Sequence, residues 1–243
     1  MESLQLWILK FGEDRKIFCI SVEIFVEWLA NHNPPWSAYR EFLSSRIIVL
    51  NKRPGVCLVG VGKTWWHLFD NCVLRVMGTE PTNAWKEDQI RAHSKARING
   101  ALNGVQAIWG ENLSTEDWWL LLVDTKNAFN ETNKTIMLWR VHHLCSSGAH
   151  FFKNFYYHWS SLVLWNRNGM DSFLHSREGV TQGHTLAIFA YGIGVLPLNK
   201  LLKEAYTDIT HTWYADNASA LGMFNNIGLY FNLLKQFGPG HGY

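Results

Sequence analysis

Two acidic residues are placed so that they could work together. Asp124 ends the apolar run Trp118-Trp119-Leu120-Leu121-Leu122-Val123, and Asp216 sits inside Thr212-Trp213-Tyr214-Ala215-Asp216-Asn217-Ala218-Ser219. A buried strand that delivers a carboxylate to its end is a rigid way to build a metal site. Asp-Asn is also strong turn chemistry, because both side chains bond nearby backbone and tolerate left-handed dihedrals. Two such strands side by side would set Asp124 and Asp216 around a shared divalent cation, with carboxylate oxygens as the hard ligands that Mg²⁺ prefers. A second group is basic: Arg46, Lys52 and Arg53 surround Asn51-Lys52-Arg53-Pro54-Gly55. Arg and Lys there could neutralise a triphosphate or a nucleic-acid backbone; the alternative is a solvated basic turn. A third stretch, Arg177-Glu178-Gly179-Val180-Thr181-Gln182-Gly183-His184-Thr185, has two glycines that let backbone approach a ligand.

These residues need elements to hold them. The chain has 243 residues, 47% of them hydrophobic and 13 of them Trp, which excludes disorder and predicts an aromatic core. A formal net charge of +2 means that any nucleic-acid contact must come from local clusters. Cys19, Cys57, Cys72 and Cys145 show no paired spacing, so the expectation is a reducing compartment and no disulfide framework. His142, His143, Cys145, His150 and His158 lack the spacing of a structural zinc site. With no signal-peptide pattern and no apolar run of spanning length, the reading is a soluble, intracellular protein without membrane contact.

Periodicity supplies the elements. Residues 1–44 read as helical, with Val22, Phe25, Val26 and Leu29 as a stripe, stopped at Asn33-Pro34-Pro35. Arg46 to Leu50 and Val56 to Val61 read as strands around the basic turn, and Thr64 as the N-cap of a helix from Trp65 to Val76. Glu87 to Trp109 reads as a long charged helix. After Asp124 comes a helix with Ile136, Trp139, Val141 and Leu144 as core candidates, and then an aromatic core stretch at 148–160. Ser161 to Trp165 and Asp171 to His175 flank Asn166-Arg167-Asn168-Gly169, a hairpin signal. A helix from Thr185 to Leu198 is expected to break near Pro197. Ile227, Tyr230, Phe231 and Leu234 form a last stripe before a terminal loop from Phe237 to Tyr243. Gly62-Lys63-Thr64 fits the end of a phosphate-binding P-loop, but its first Gly would fall on Cys57.

In order, a strand ending in Asp-x-x-x-Ala-Phe, a Gly-x-x-Gln-Gly turn opening a helix, and a Tyr-x-Asp hairpin resemble the palm of reverse transcriptases of retrotransposon-like elements. Asp124 to Phe129, Gly179 to Gly183 and Tyr214 to Asn217 match the three motifs, and Arg46 to Gly62 resembles the basic fingers hairpin. The resemblance covers roughly residues 45–243. It implies an α+β fold of polymerase-like fingers and palm, with a small antiparallel palm sheet packed by helices and no thumb. The divisions would be a helical segment at 1–44, fingers at 45–117 and palm at 118–243. It also implies template-directed nucleotidyl transfer with two Mg²⁺ or Mn²⁺ ions. Asp124 and Asp216 would hold the metal. Phe129 would gate the ribose, Gln182 and Gly183 would line the nucleotide pocket, and Lys52 and Arg53 would meet the triphosphate. Arg46 and Tyr214 would touch nucleic acid. The partners would be a primer–template and a dNTP.

The chain departs from that pattern. The hairpin of the family is Tyr-x-Asp-Asp, and here Asn217 takes the last place. The second motif continues His184-Thr185 where Asp-Pro or Ser-Pro is usual, and Cys57-Leu58 stands where Arg-Pro is expected. The sequence ends before the family's fourth-motif Lys. The expectation is therefore an impaired, truncated relic. Two alternatives are a non-catalytic nucleic-acid-binding remnant of the same fold and a P-loop nucleotide hydrolase.

Overall fold

Strand-forming residues gather in two sets, and they build two separate sheets within a helical surround. The computed structural model describes residues 10, 12–51, 56–85, 97–165, 172–181 and 184–243. Helices α1 (Asp14–Asn31) and α2 (Trp36–Leu43) are parted by the Asn33-Pro34-Pro35 break. There follow β1 (Ser45–Asn51), β2 (Val56–Val61), α3 (Thr64–Met77), α4 (Glu80–Trp85) and α5 (Arg97–Glu111). Next come β3 (Trp118–Asp124), α6 (Ala128–Glu131), α7 (Lys134–Leu144), α8 (Ala149–Tyr156), β4 (Ser160–Leu164) and β5 (Ser172–Ser176). The chain closes with α9 (Thr185–Ala205), β6 (Thr210–Tyr214), β7 (Asn217–Met223) and α10 (Phe224–His241). The expected helix start at Glu87, together with Lys52, Arg53, Gln182 and Gly183, lies outside the described residues.

The first sheet has the order β2-β1-β4-β5 and the second β3-β7-β6. β1 runs antiparallel to β2, from Arg46 opposite Val61 to Asn51 opposite Val56, and parallel to β4. β4 and β5 form the hairpin that the turn signal predicts. The fold is mixed α+β, with two small sheets among the described residues.

Helix α9 is the spine of the molecule. Its N-terminal half, with Phe189, Ile193 and Leu196, belongs to a large cluster with α1 to α4, α7 and α8; Leu198 and Leu202 belong to a second cluster with β6, β7 and α10. Among the described residues it is the one helix long and apolar enough to cross a membrane, and 72% of that window is buried inside the protein. A helix apolar on all sides is what a buried position demands.

Four expectations are corrected. α9 does not break at Pro197 but runs on to Ala205. An interior Pro costs about 3 kcal/mol, and fully burying side chains such as Leu198 and Leu202 returns roughly 1.5–3 kcal/mol each, so packing wins. The Phe237–Tyr243 loop is instead the end of α10, which continues through Gly238-Pro239-Gly240. There Asn133 Nδ2 donates to Gly240 O at 3.2 Å, and Gly242 ends the helix in the left-handed region. Trp139, read as core, is 56% exposed, whereas Met137 and Val141 are buried. Thr64 is the first residue of α3 and Lys63 its N-cap.

Candidate active site

The second sheet brings the acidic positions together. β3 and β7 pair antiparallel from Trp118 opposite Met223 to Asp124 opposite Asn217, and β6 pairs with β7 up to Tyr214 opposite Asn217. Residues directly opposite share a face, so Tyr214, Asn217 and Asp124 form one row across the sheet. Ala215 and Asp216 are the two-residue connection beside it. Trp213, Ala218 and Val123 occupy the opposite face, where α9 and α10 cover them. The row faces outward: Asp124 and Asn217 are exposed, and Leu122, two residues back, is 71% exposed.

The connection is tight. The left-handed residue is Ala215 (φ 51°), not the Asp-Asn pair, and Asn217 is already in the strand. Thr125 N donates to Asp216 O at 3.3 Å, which ties the tip of the hairpin to the residue after Asp124. Asn217 Nδ2 donates to Asp216 Oδ1 at 3.2 Å. Asn217 thus spends a donor on its neighbour where a carboxylate would have added a negative charge.

Beneath the row lie hydroxyls that sequence reading passed over. Tyr191 of α9 and Tyr243 both approach Thr125. Beyond that mutual proximity, none of their oxygens finds a protein partner in hydrogen-bond geometry. Burial, with Asp216 and Asp124 adding to it, pushes the Tyr243 phenol up to about 12. Tyr191 is raised by burial, by Tyr243 and by Asp216. Both phenols therefore stay neutral at ordinary pH. The Phe129 ring lies 4.9 Å from that of Tyr191, and the Tyr243 ring lies 4.8 Å from that of Trp213.

The turn before α9 is bound to the helix after Asp124. Gly179 N donates to Thr132 O at 2.9 Å and Val180 N to Phe129 O at 2.6 Å. On its other side the turn meets the first sheet. His184 is buried, and a Cβ on Gly62 would come within 2.5 Å of its Nε2. Gly62 is thus required by the approach of an imidazole. Asp70 of α3 completes the arrangement. It is 1% exposed, its Oδ2 accepts from Thr185 N (3.0 Å) and Leu186 N (3.4 Å), and it lies 3.6 Å from His184 Nδ1. A buried carboxylate at a helix N-terminus satisfies orphan N–H groups and complements the helix dipole. Its signal in the sequence was an acid within the apolar spacing Trp66, Phe69, Val73 and Met77.

Arg46 is exposed in β1 of the first sheet, apart from the sheet that holds Asp124. A cavity of about 460 Å³ opens between that first sheet and α6, lined by Ile47, Gly60, Asn127, Asn130 and Thr181 among others. The P-loop reading fails. β2, which precedes Gly62-Lys63-Thr64, pairs antiparallel in a different sheet from Asp124. Lys63 Nζ is engaged by Glu41 O (2.9 Å) and Phe42 O (3.2 Å).

No family model and no curated protein matches the chain. Solved structures do. Apo telomerase from Candida tropicalis, truncated from its C-terminal domain, superposes with a TM-score of 0.60 at 14% identity, over 90% of this chain and 53% of that one. Telomerase from Candida albicans in complex with a fragment of telomeric RNA gives 0.62 at 11% identity, over 90% and 45%. The fold is similar to that of telomerase. The Candida tropicalis enzyme bound to the same kind of RNA fragment gives 0.59 at 12% identity. The chain spans about half the length of these structures.

Proposed function

We propose that this chain is a reverse-transcriptase-type polymerase domain of a retrotransposon-like element, with fingers at 45–117, a palm at 118–243 and an impaired catalytic centre. The observation that carries the reading is the row of Asp124 and Asn217 with Asp216 in the adjoining connection, on the open face of the second sheet of a telomerase-like fold.

The donor set suits a hard divalent cation in part. Asp124 and Asp216 offer carboxylate oxygens and Asn217 an amide oxygen. Among the described residues no group of three or more acidic, His or Cys side chains converges as a metal site. Mg²⁺ or Mn²⁺ held by Asp124 and Asp216 would supply charge neutralisation at the attacking and leaving oxygens of phosphoryl transfer. The residues of the chain do the rest. Phe129, seated on Tyr191, borders the sugar of a dNTP. The Gly179–Thr185 turn, with Gln182 and Gly183, walls the nucleotide. Lys52 and Arg53 neutralise its triphosphate, and Arg46 and Tyr214 meet the primer–template. Asn217 removes one formal negative charge from the centre, so a pair of ions held there would be under-neutralised.

The test is primer extension on RNA and DNA templates with Mg²⁺ or Mn²⁺. The unmodified chain should extend little or not at all. Asn217→Asp should raise extension at least about tenfold, equivalent to about 1.4 kcal/mol of barrier, and Asp124→Asn in that background should remove the gain. Robust extension by the unmodified chain would refute the impairment. Template binding without extension by either form would favour a non-catalytic nucleic-acid-binding role.

A further inference from the structure

The segment that leads into α9 is seated on the strand that leaves the basic turn. Thr181 O accepts from His184 N at 3.3 Å, so the ends of Thr181-Gln182-Gly183-His184 are closed on each other. Both ends press on the same stretch of backbone. A Cβ on Gly60 of β2 would come within 2.8 Å of Thr181 Cγ2, and one on Gly62, just past β2, within 2.5 Å of His184 Nε2. Glycine is what permits an approach this close. Two glycines two apart have the spacing of one face of an extended chain.

The imidazole is walled in on its other sides. The Phe155 ring stands edge-on to it at 5.1 Å, and the Trp66 and His67 rings lie at 6.4 and 6.3 Å. Asp70 Oδ2 lies 3.6 Å from its Nδ1 and accepts from the backbone N–H groups of the next two residues. Before Thr181, the chain is bonded through Gly179 and Val180 to Thr132 and Phe129, just after Asp124. The segment therefore spans from β2 to the turn beyond Asp124. A His184 displaced from its seat would take Thr181 with it, because the bond between them closes the segment.

We propose that His184 and Asp70 are positioning residues for nucleotide binding: the imidazole, seated over Gly62 and held at Asp70, sets where this segment stands against β2. The proposal rests on the reading of the segment as a wall of the nucleotide pocket. On this account His184, which departs from the usual second motif, has partners of its own in this chain and is not itself a lesion.

Two readouts separate the proposal from the reading beneath it. One is amide hydrogen exchange at Thr185 and Leu186. The other is the affinity of the full chain for dTTP with Mg²⁺ on a primer–template that ends in a 3′-dideoxynucleotide and cannot extend. Gly62→Ala, with an unchanged circular dichroism spectrum, should speed the exchange and weaken dTTP binding by about tenfold each, the equivalent of one lost hydrogen bond to a buried donor. His184→Ala should do the same by emptying the seat. In the double variant the new methyl enters the space that the ring has left, so its losses should not exceed those of the worse single variant; residues in contact couple in this way. Asp70→Asn, which keeps an oxygen acceptor, should lose less than Asp70→Ala in both readouts. Losses that multiply in the double variant overturn the proposal. So does Gly62→Ala binding dTTP as the unmodified chain does, and that result leaves the polymerase reading standing. If no form binds dTTP, the unmodified chain included, while the exchange rates still couple, the reading falls and the nucleotide role falls with it.

Discussion

Lys134 shows how one residue reports its surroundings. It is the first residue of α7 and only 7% exposed, and its Nζ donates to Ser176 O at 3.1 Å while its backbone N–H donates to Glu178 Oε2 at 3.0 Å. Burial lowers the ammonium to about 8, against the smaller opposing pull of Glu178. In the folded chain the proton leaves near pH 8; in the unfolded chain it stays until about pH 10.5. Between those values the unfolded state binds more protons, so stability rises with pH across the window, and below about pH 8 the penalty of burying the charged ammonium is present in full. A shift of that size corresponds to roughly 3 kcal/mol across the whole window. Urea denaturation of the native chain and of Lys134→Met at pH 7 and pH 9.5 reads it as a difference that cancels other titrating groups. The native chain should gain on the variant at pH 9.5; an unchanged difference would mean that the ammonium is better solvated than its burial suggests.

At the scale of elements, the first turn of α9 depends on a side chain from α3. Asp70→Ala removes the acceptor for Thr185 N and Leu186 N and leaves His184 buried without its partner. Unmade bonds to buried donors cost about 1–3 kcal/mol each, so a loss of about 3 kcal/mol in urea denaturation is expected, with a smaller loss for Asp70→Asn. A loss below about 0.5 kcal/mol would show that water takes over the role. Asp70 also marks what a sequence can tell. Strands β1, β2, β3 and β6 were legible because apolar runs ended in turn chemistry. The partners of Asp70 were not, because they lie 115 and 116 residues away. Gly238-Pro239-Gly240 read as a breaker, yet α10 runs through it, held at its end by Asn133 and packed through Tyr243 against Trp213. Asp124 and Asp216 could be picked out because each closes a strand-like run. Tyr191, Tyr243 and Thr125 beneath them could not, because no local pattern distinguishes a phenol under a carboxylate from one in a core.

For the whole molecule, the question is whether two sheets and two apolar clusters behave as one unit. Single domains of under about 150 residues usually unfold in one step, and longer chains often do not. Here one helix enters both clusters: Phe189, Ile193 and Leu196 are buried in the first, Leu198 and Leu202 in the second, and Tyr243 packs against both. Opening either cluster alone would expose one half of α9 while the other half stayed buried, across an uninterrupted helix. That coupling predicts a single cooperative transition despite the length of the chain. Phe152→Ala in the first cluster and Tyr230→Ala in the second each empty a fully buried site, at a cost of about 3–5 kcal/mol for an aromatic truncation in a core. In each variant, tryptophan fluorescence and far-ultraviolet circular dichroism should shift together to the same lower urea midpoint. If Phe152→Ala moved one probe and left the other in place, the clusters would unfold separately and α9 would not join them energetically.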